Sequence, residues 1–218
     1  MTTKLVDIET AIALIPDGAS ILIGGFMGVG TPDRLLQGLV DAGRVGLTVI
    51  ANDTARPGVG IGRLVDARAI RRLVASHIGT NPETQRQMIS GELDVVLTPQ
   101  GTLVEQIRAG GHGLGGVLTR TGLGTAVEAG KSRVEIDGET WLLERPIRAD
   151  FALIAADRAD SLGNLAYAYT ARGFNPIMTM AASTVIAESR VVNKIGSILP
   201  DEVVTPGILV DYLLEPCP

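Results

Sequence analysis

The chain has 218 residues, a formal net charge of −5, and 45% hydrophobic residues but only 3% aromatics. That fits one α/β domain spanning 1–218 with a core of Ala, Val, Leu and Ile, and 27 glycines without a repeating period imply many tight turns. The acidic balance and the lack of a Lys/Arg cluster exclude nucleic acid as a partner, and the apolar runs are too short to span a membrane.

The first element expected is a helix over 7–15, with Asp7 as cap and a turn at Pro16-Asp17-Gly18. A strand over 20–24 follows (Ser-Ile-Leu-Ile-Gly), apolar on both faces as a buried parallel strand must be. Pro32 opens a helix through Asp41, where a proline at the first position is favourable. Strands are expected at 47–51, 73–76 and 94–97. Between the last two lies a helix over 81–90, with Asn81 as cap and Pro82 at its first position. A helix over 102–109 is stopped by Gly110-Gly111. Residues 133–136 and 139–143 flank Asp137-Gly138, the signal of a β-hairpin with a two-residue turn. Strands at 151–155, 184–187 and 207–210 complete the series. The pattern predicts a mostly parallel open sheet with helices on both faces and a β-hairpin insertion.

No basic segment followed by an apolar run opens the chain, so a cytoplasmic location is expected. The single cysteine, Cys217, sits in a Glu-Pro-Cys-Pro tail and is a poor nucleophile there. With that one cysteine and two histidines, no metal site is expected.

Residues 17–32 carry the most information: turn, buried strand, glycine-rich loop, helix start. Such a loop places backbone N–H groups at the carboxyl end of a strand, aimed at whatever binds there, though a plain strand-to-helix turn uses the same glycines. Two phosphate-binding patterns fail. A dinucleotide fingerprint would need glycine where Asp33 stands, even though Asp53 mimics a ribose-binding acid. Gly130-Lys131-Ser132 resembles the end of a P-loop, but Thr125 occupies the first glycine position and a hairpin follows.

Residues 17–32, with Gly24-Gly25-Phe26 and Gly30-Thr31-Pro32 at their core, resemble the signature of the alpha chains of the coenzyme A transferase family. The resemblance continues through Ile50-Ala51-Asn52-Asp53-Thr54, Ser76-His77-Ile78-Gly79-Thr80-Asn81-Pro82-Glu83 and Pro99-Gln100-Gly101-Thr102-Leu103. It goes on through residues 122–130, Trp141-Leu142-Leu143-Glu144-Arg145-Pro146 and Val204-Thr205-Pro206-Gly207. It covers nearly the whole chain and is nearest the acetate and 3-oxoacid alpha subunits.

The resemblance implies ping-pong transfer of coenzyme A between an acyl-CoA and a short free acid, with no permanently bound cofactor. In such enzymes a glutamate attacks the thioester through an anhydride to an enzyme–CoA thioester. That glutamate lies in a Ser-Glu-Asn-Gly-type motif on the partner beta chain. No such motif occurs here: Glu83, Glu92, Glu105, Glu128 and Glu188 stand in other contexts. The resemblance therefore implies an alpha subunit without a catalytic residue of its own, paired with a beta partner, by analogy as α2β2. It further implies that Gly24, Gly25, Phe26, Met27, Gly28, Val29 and Gly30 bind substrate or CoA. Gly28, Val29 and Gly30 would line the thioester, and Asn52 and Gln100 would offer amides to the reacting centre.

For other residues the plainer readings lead. His77 is expected to cap or bond locally, and His112 to sit in a glycine-rich loop, exposed or gating. Glu83 is expected as a first-turn acid, and Phe26 and Met27 are expected to pack in the core beneath the loop. The alternatives to a transferase subunit are a non-catalytic CoA- or ligand-binding protein on the same fold and a nucleotide-dependent oxidoreductase.

Overall fold

Strand β1 (Leu5–Val6) leads into helix α1 (Ile8–Ala13), which Asp7 caps by accepting the Thr10 amide at 2.7 Å. The computed structural model describes residues 4–216, so Cys217 lies outside the described residues. The chain continues as β2 (Ser20–Ile23), α2 (Asp33–Asp41), β3 (Leu47–Asp53), α3 (Gly62–Asp66), β4 (Ile70–His77), α4 (Pro82–Ile89), β5 (Asp94–Leu97) and α5 (Gln100–Gly111). Then come β6 (Val117–Thr119), β7 (Ser132–Ile136) and β8 (Glu139–Glu144). Last are β9 (Ala149–Asp160), β10 (Leu165–Ala166), α6 (Asn175–Met178), β11 (Ala182–Asn193) and β12 (Tyr212–Leu214).

The main sheet runs β1-β12-β11-β9-β2-β3-β4-β5, all parallel, with β10 added antiparallel to β9. Its strands read as continuous apolar runs because both faces are covered. Ile21, Ile23, Val49, Ala51 and Leu73 enter one core with Ile12 of α1, Leu35, Leu36 and Leu39 of α2, and Leu64 of α3. Their neighbours Leu22 and Ile50 enter the other, with Leu103 and Ile107 of α5 and Met178 of α6. Single-residue alternation thus splits each strand between two cores. Chain order moves outward from β2 through β3, β4 and β5, then resumes on the other side of β2 with β9. The β2/β9 junction is therefore the point where the winding reverses, and the crevice beyond the strands' carboxyl ends opens there.

The expected hairpin is part of a separate three-stranded antiparallel sheet, β6-β8-β7. Asp137 (φ +52) and Gly138 (φ +78) make its turn, the left-handed pair that two-residue hairpins favour. Gln106 Nε2, 3.0 Å from Glu144 Oε2, fastens this sheet to α5, while Lys131 Nζ, 2.5 Å from Glu144 Oε1, braces the start of β7 against the end of β8.

Two expectations are corrected. Residues 207–210 are not a strand: Gly207–Leu209 is a 3-10 turn, and the strand follows as β12. There Lys4 Nζ donates to the carbonyls of Gly207 and Val210 at 2.6 Å, and Asn164 Oδ1 accepts the Gly207 amide at 2.8 Å, so the backbone groups a ladder needs are taken. Helix α5 is not stopped by Gly110-Gly111 but runs through them. A Cβ on Gly110 would lie 1.9 Å from the Ile147 carbonyl, so this glycine serves close packing.

Candidate active site

The glycine loop is a miniature hairpin. Phe26 and Val29 exchange both backbone hydrogen bonds, at 3.0 and 2.9 Å, around Met27 (φ +51) and Gly28 (φ +87). Both turn residues are left-handed, a conformation easy for Gly28 and costly for Met27. Asp53 at the end of β3 offsets that cost by accepting the Met27 amide at 2.9 Å. With Phe26, Met27 and Val29 committed, Gly28 and Gly30 are left with N–H groups that have no acceptor among the described residues.

Asp53 is 3% exposed and holds more than the loop. Its Oδ2 also accepts from Asn52 Nδ2 at 2.7 Å, and its Oδ1 accepts the Ala55 amide at 2.6 Å. Asn52, 2% exposed, turns its Oδ1 to Gln100 Nε2 at 2.6 Å and to Ser76 Oγ at 3.1 Å. One relay therefore joins the ends of β3 and β4, the loop and the start of α5. Its buried members position Gln100, whose side chain is exposed. Gln100 opens α5, and Pro99 ahead of it offers no side-chain cap, so no side chain covers the positive end of this helix.

From the other face the loop rests on Asn175, fully buried at the start of α6. Asn175 Nδ2 donates to the carbonyls of Gly30 and Ala171 at 2.9 Å, and its Oδ1 accepts the Ala155 amide of β9 at 2.9 Å. A Cβ on Gly24 would sit 1.8 Å from Asn175 Oδ1, which fixes the residue type there. Asn175 escaped the sequence reading. The Asn-Pro pair signals a turn or cap, but the partner at Gly30 lies 145 residues away.

Two adjoining cavities share Phe26 and Gln100 as a common wall. The smaller, about 270 Å³, is lined by Met27, Asn52, Asp53, Ser76 and His77 as well. The larger, about 620 Å³, adds Gly101, Val104, Thr170, Arg172, Gly173 and Phe174. Phe26 and Met27 are not core residues as expected. Phe26 is 47% exposed, and Met27 forms the turn with its sulfur 3.4 Å from Thr80 Oγ1. Bonding the Phe26 backbone inside the hairpin turns its ring outward to the cavities.

The remaining candidates lie apart or play local roles. His77 lines the smaller cavity, and its ring makes no hydrogen bond among the described residues, contrary to the capping role expected. His112 Nδ1 lies 2.8 Å from the Arg108 carbonyl at the end of α5. Asn81 caps α4 through the Glu83 and Thr84 amides. Glu83 and Glu92 grip Arg86 on the surface. Its guanidinium is the main reason both are held down to about 2, with Gln87 assisting at Glu83 and Ser90 at Glu92. Glu105 pairs with Arg108 and Glu128 with Arg133. Glu188 Oε2 accepts the Arg34 and Leu35 amides at 3.0 and 3.2 Å, filling the N-terminus of α2 directly after the loop. None of these glutamates lines either cavity. Among the described residues no cluster of His, Cys, Asp or Glu is placed to hold a metal, and no helix is long and apolar enough to cross a membrane.

Residues 5–215 match the profile of the coenzyme A transferase family. The chain is 55% identical over 214 residues to the alpha subunit of the acetate CoA-transferase of Escherichia coli K12, covering 98% of this chain and 97% of that one. It is 46% identical to the acetoacetyl-CoA:acetate/butyrate CoA transferase alpha subunit of Clostridium acetobutylicum, with 99% of each covered. One subunit of a succinyl-CoA:3-ketoacid coenzyme A transferase of Xanthomonas campestris is 44% identical over 97% of this chain and 88% of its own. Among solved structures, an Escherichia coli O157:H7 acyl-CoA transferase in its thioester complex with CoA superposes with a TM-score of 0.87 at 21% identity. It matches 97% of this chain, which spans only 47% of that one. Glutaconate coenzyme A-transferase of Acidaminococcus fermentans superposes at 0.84 and 18% identity, over 97% of this chain and 75% of that one. A decarboxylase shares the fold at 0.82 and 26% identity, with 99% of this chain and 84% of that one covered, so activity does not follow from the fold. The profile over nearly all residues and the full-length relatives at 46% and 55% identity settle the family instead: the chain belongs to the coenzyme A transferases.

Proposed function

We propose that this chain is the alpha subunit of a cytoplasmic short-chain acyl-CoA:carboxylate CoA-transferase of the acetate/3-oxoacid type, working as one domain and active only with a beta partner, in an α2β2 assembly. CoA is the transferred group. A glutamate of the beta chain attacks the thioester carbonyl and the bond to sulfur breaks, releasing CoA thiolate and leaving a mixed anhydride. The thiolate then attacks the glutamyl carbonyl, expelling the first acid as its carboxylate and leaving an enzyme thioester. A second carboxylic acid then reverses these steps, which is ping-pong catalysis.

The observation that carries this reading is a site furnished with donors and without a nucleophile. The N–H groups of Gly28 and Gly30 have no acceptor among the described residues in the loop that follows β2, and Gln100, held by Asn52, lines both cavities with Phe26 of that loop. Each attack builds negative charge on an oxygen, and donors fixed beforehand stabilise it without reorganising. Among the described residues the only carboxylate lining either cavity is Asp53, which is buried and already accepts three N–H bonds. That supports a nucleophile supplied by another chain. Phe26 flanks the acyl and pantetheine path, while Gly24, Gly25 and Val29 shape the loop.

The test is acetoacetyl-CoA formation from acetoacetate and acetyl-CoA, with this chain alone and with its beta partner. Activity only in the mixture is expected. Turnover by this chain alone would place the nucleophile among its own carboxylates and overturn the division of labour. CoA binding without transfer in the mixture would favour a non-catalytic binding protein.

A further inference from the structure

The larger cavity exceeds what a two-carbon acid fills, and its about 620 Å³ lie within the range of small-molecule sites. Phe26, Val104 and Phe174 give it apolar walls, and among the described residues Arg172 is the only charged one lining it. Arg63, Arg68, Arg72, Arg86, Arg108, Arg120, Arg133, Arg158 and Arg190 each meet a carboxylate. Arg172 is one of seven that meet none, and its exposed side chain makes no hydrogen bond among the described residues. Its backbone is nonetheless fixed. It ends the 3-10 turn Tyr169–Arg172, and Asn175 Nδ2 holds the carbonyls of Ala171 and Gly30 together at 2.9 Å each. The root of the guanidinium is thus locked to the loop that carries the free Gly28 and Gly30 amides.

Resting on the transferase reading of this site, we propose that Arg172 is a specificity-determining residue. It reads an acceptor oxygen at the far end of the acid while the reacting carboxyl lies at the glycine loop. The apolar walls take the intervening methylenes, and the guanidinium presents a planar fork of donors that suits a second carboxylate or a carbonyl. A cavity with apolar walls alone would rank acids by length only; a cation at its rim ranks them by the oxygen they carry.

The experiment uses the alpha–beta complex with acetyl-CoA as donor and succinate, acetoacetate or butyrate as acceptor. Each is measured with wild type, Arg172→Met and Arg172→Lys. In Arg172→Met the kcat/KM ratios of succinate and of acetoacetate to butyrate are expected to fall about tenfold or more. Arg172→Lys should restore them only in part, since a point charge lacks the fork. A fall confined to succinate identifies a carboxylate as the group read, and a fall for both identifies any acceptor oxygen. Unchanged ratios overturn the proposal, as does an equal rise in the KM for acetyl-CoA whatever the acid, because Arg172 would then contact CoA. Thermal-shift titration with succinate and butyrate reads the same preference without turnover. Wild type should favour succinate and Arg172→Met should not; equal shifts in both overturn the assignment even in an inactive complex. A wild-type complex inactive with every acid counts against the transferase reading, and the titration keeps the two failures apart.

Discussion

The amide of Met27 donates to Oδ2 of Asp53 at 2.9 Å, and this bond ties a left-handed non-glycine turn to the carboxyl end of the neighbouring strand. The same oxygen accepts from Asn52 Nδ2 at 2.7 Å. Asp53→Asn would place an amino group or a weaker acceptor opposite two donors. Each lost bond to a buried charged acceptor is worth about 1.5–3 kcal/mol. The variant is expected to melt lower and to lose about tenfold or more in kcat/KM, the turn no longer being held. Melting curves and steady-state kinetics of the assembled enzyme check this. Unchanged kinetics at a lowered melting point would make Asp53 purely structural.

Gly24 and Asn175 should behave as one unit. Asn175→Ala removes a fully buried side chain and strands the part-buried Ala155 amide and Gly30 and Ala171 carbonyls, at a cost of about 3 kcal/mol. Gly24→Ala drives a methyl group to 1.8 Å from Asn175 Oδ1 and should destabilise at least as much. The double variant removes the clash, so its loss is expected to be smaller than the sum of the two. Urea denaturation of the three variants measures the coupling; strict additivity would contradict the contact.

Gln100 is exposed and adds little to stability, yet it ends the relay. Gln100→Ala is expected to leave the melting point nearly unchanged and to lower kcat by about a hundredfold, the scale for one donor removed from a developing oxyanion. A change in KM alone would assign Gln100 to ground-state binding instead.

Glu188 makes stability depend on pH. Burial pushes its carboxyl above the ordinary value of 4.5, and the amides of Leu35 and Arg34 offset this only in part. The unfolded chain therefore releases this proton first as pH rises. The cost to stability is absent below about pH 4.5, grows above it, and is complete once the folded-state carboxyl has ionised. Glu188→Gln keeps an oxygen for the two amides and removes the titration. Its melting point relative to wild type is expected to be higher near neutral pH than near about pH 4. A constant difference across that range would mean that the amides cancel burial, and a reversed trend that they outweigh it.

Much of the architecture can be read locally. Asp7 and Asn81 cap their helices from single positions, Asp137-Gly138 makes its turn, and strands such as Ser20–Ile23 are apolar on both faces. Shorter pieces without such signals (β1, α3, β6, β10 and α6) went unanticipated, because two to five residues carry too little periodicity to stand out.

For the site, the sequence supplied candidates: a glycine loop at the end of a buried strand and, through the family resemblance, Asn52 and Gln100. The tertiary structure decided how they are used. Asn52 is buried as a support for Gln100, Phe26 is turned out into the cavities, and Glu188 occupies the helix end behind the loop. Asn175, fixing Gly30 across 145 residues, and Arg172, left unpaired at a cavity, have no local signature. Caps, turns and strand faces follow from interactions within a few residues, which spacing records. Which distant backbone group a buried amide meets, and which arginines find no carboxylate, depend on how the two halves of the sheet close around β2 and β9.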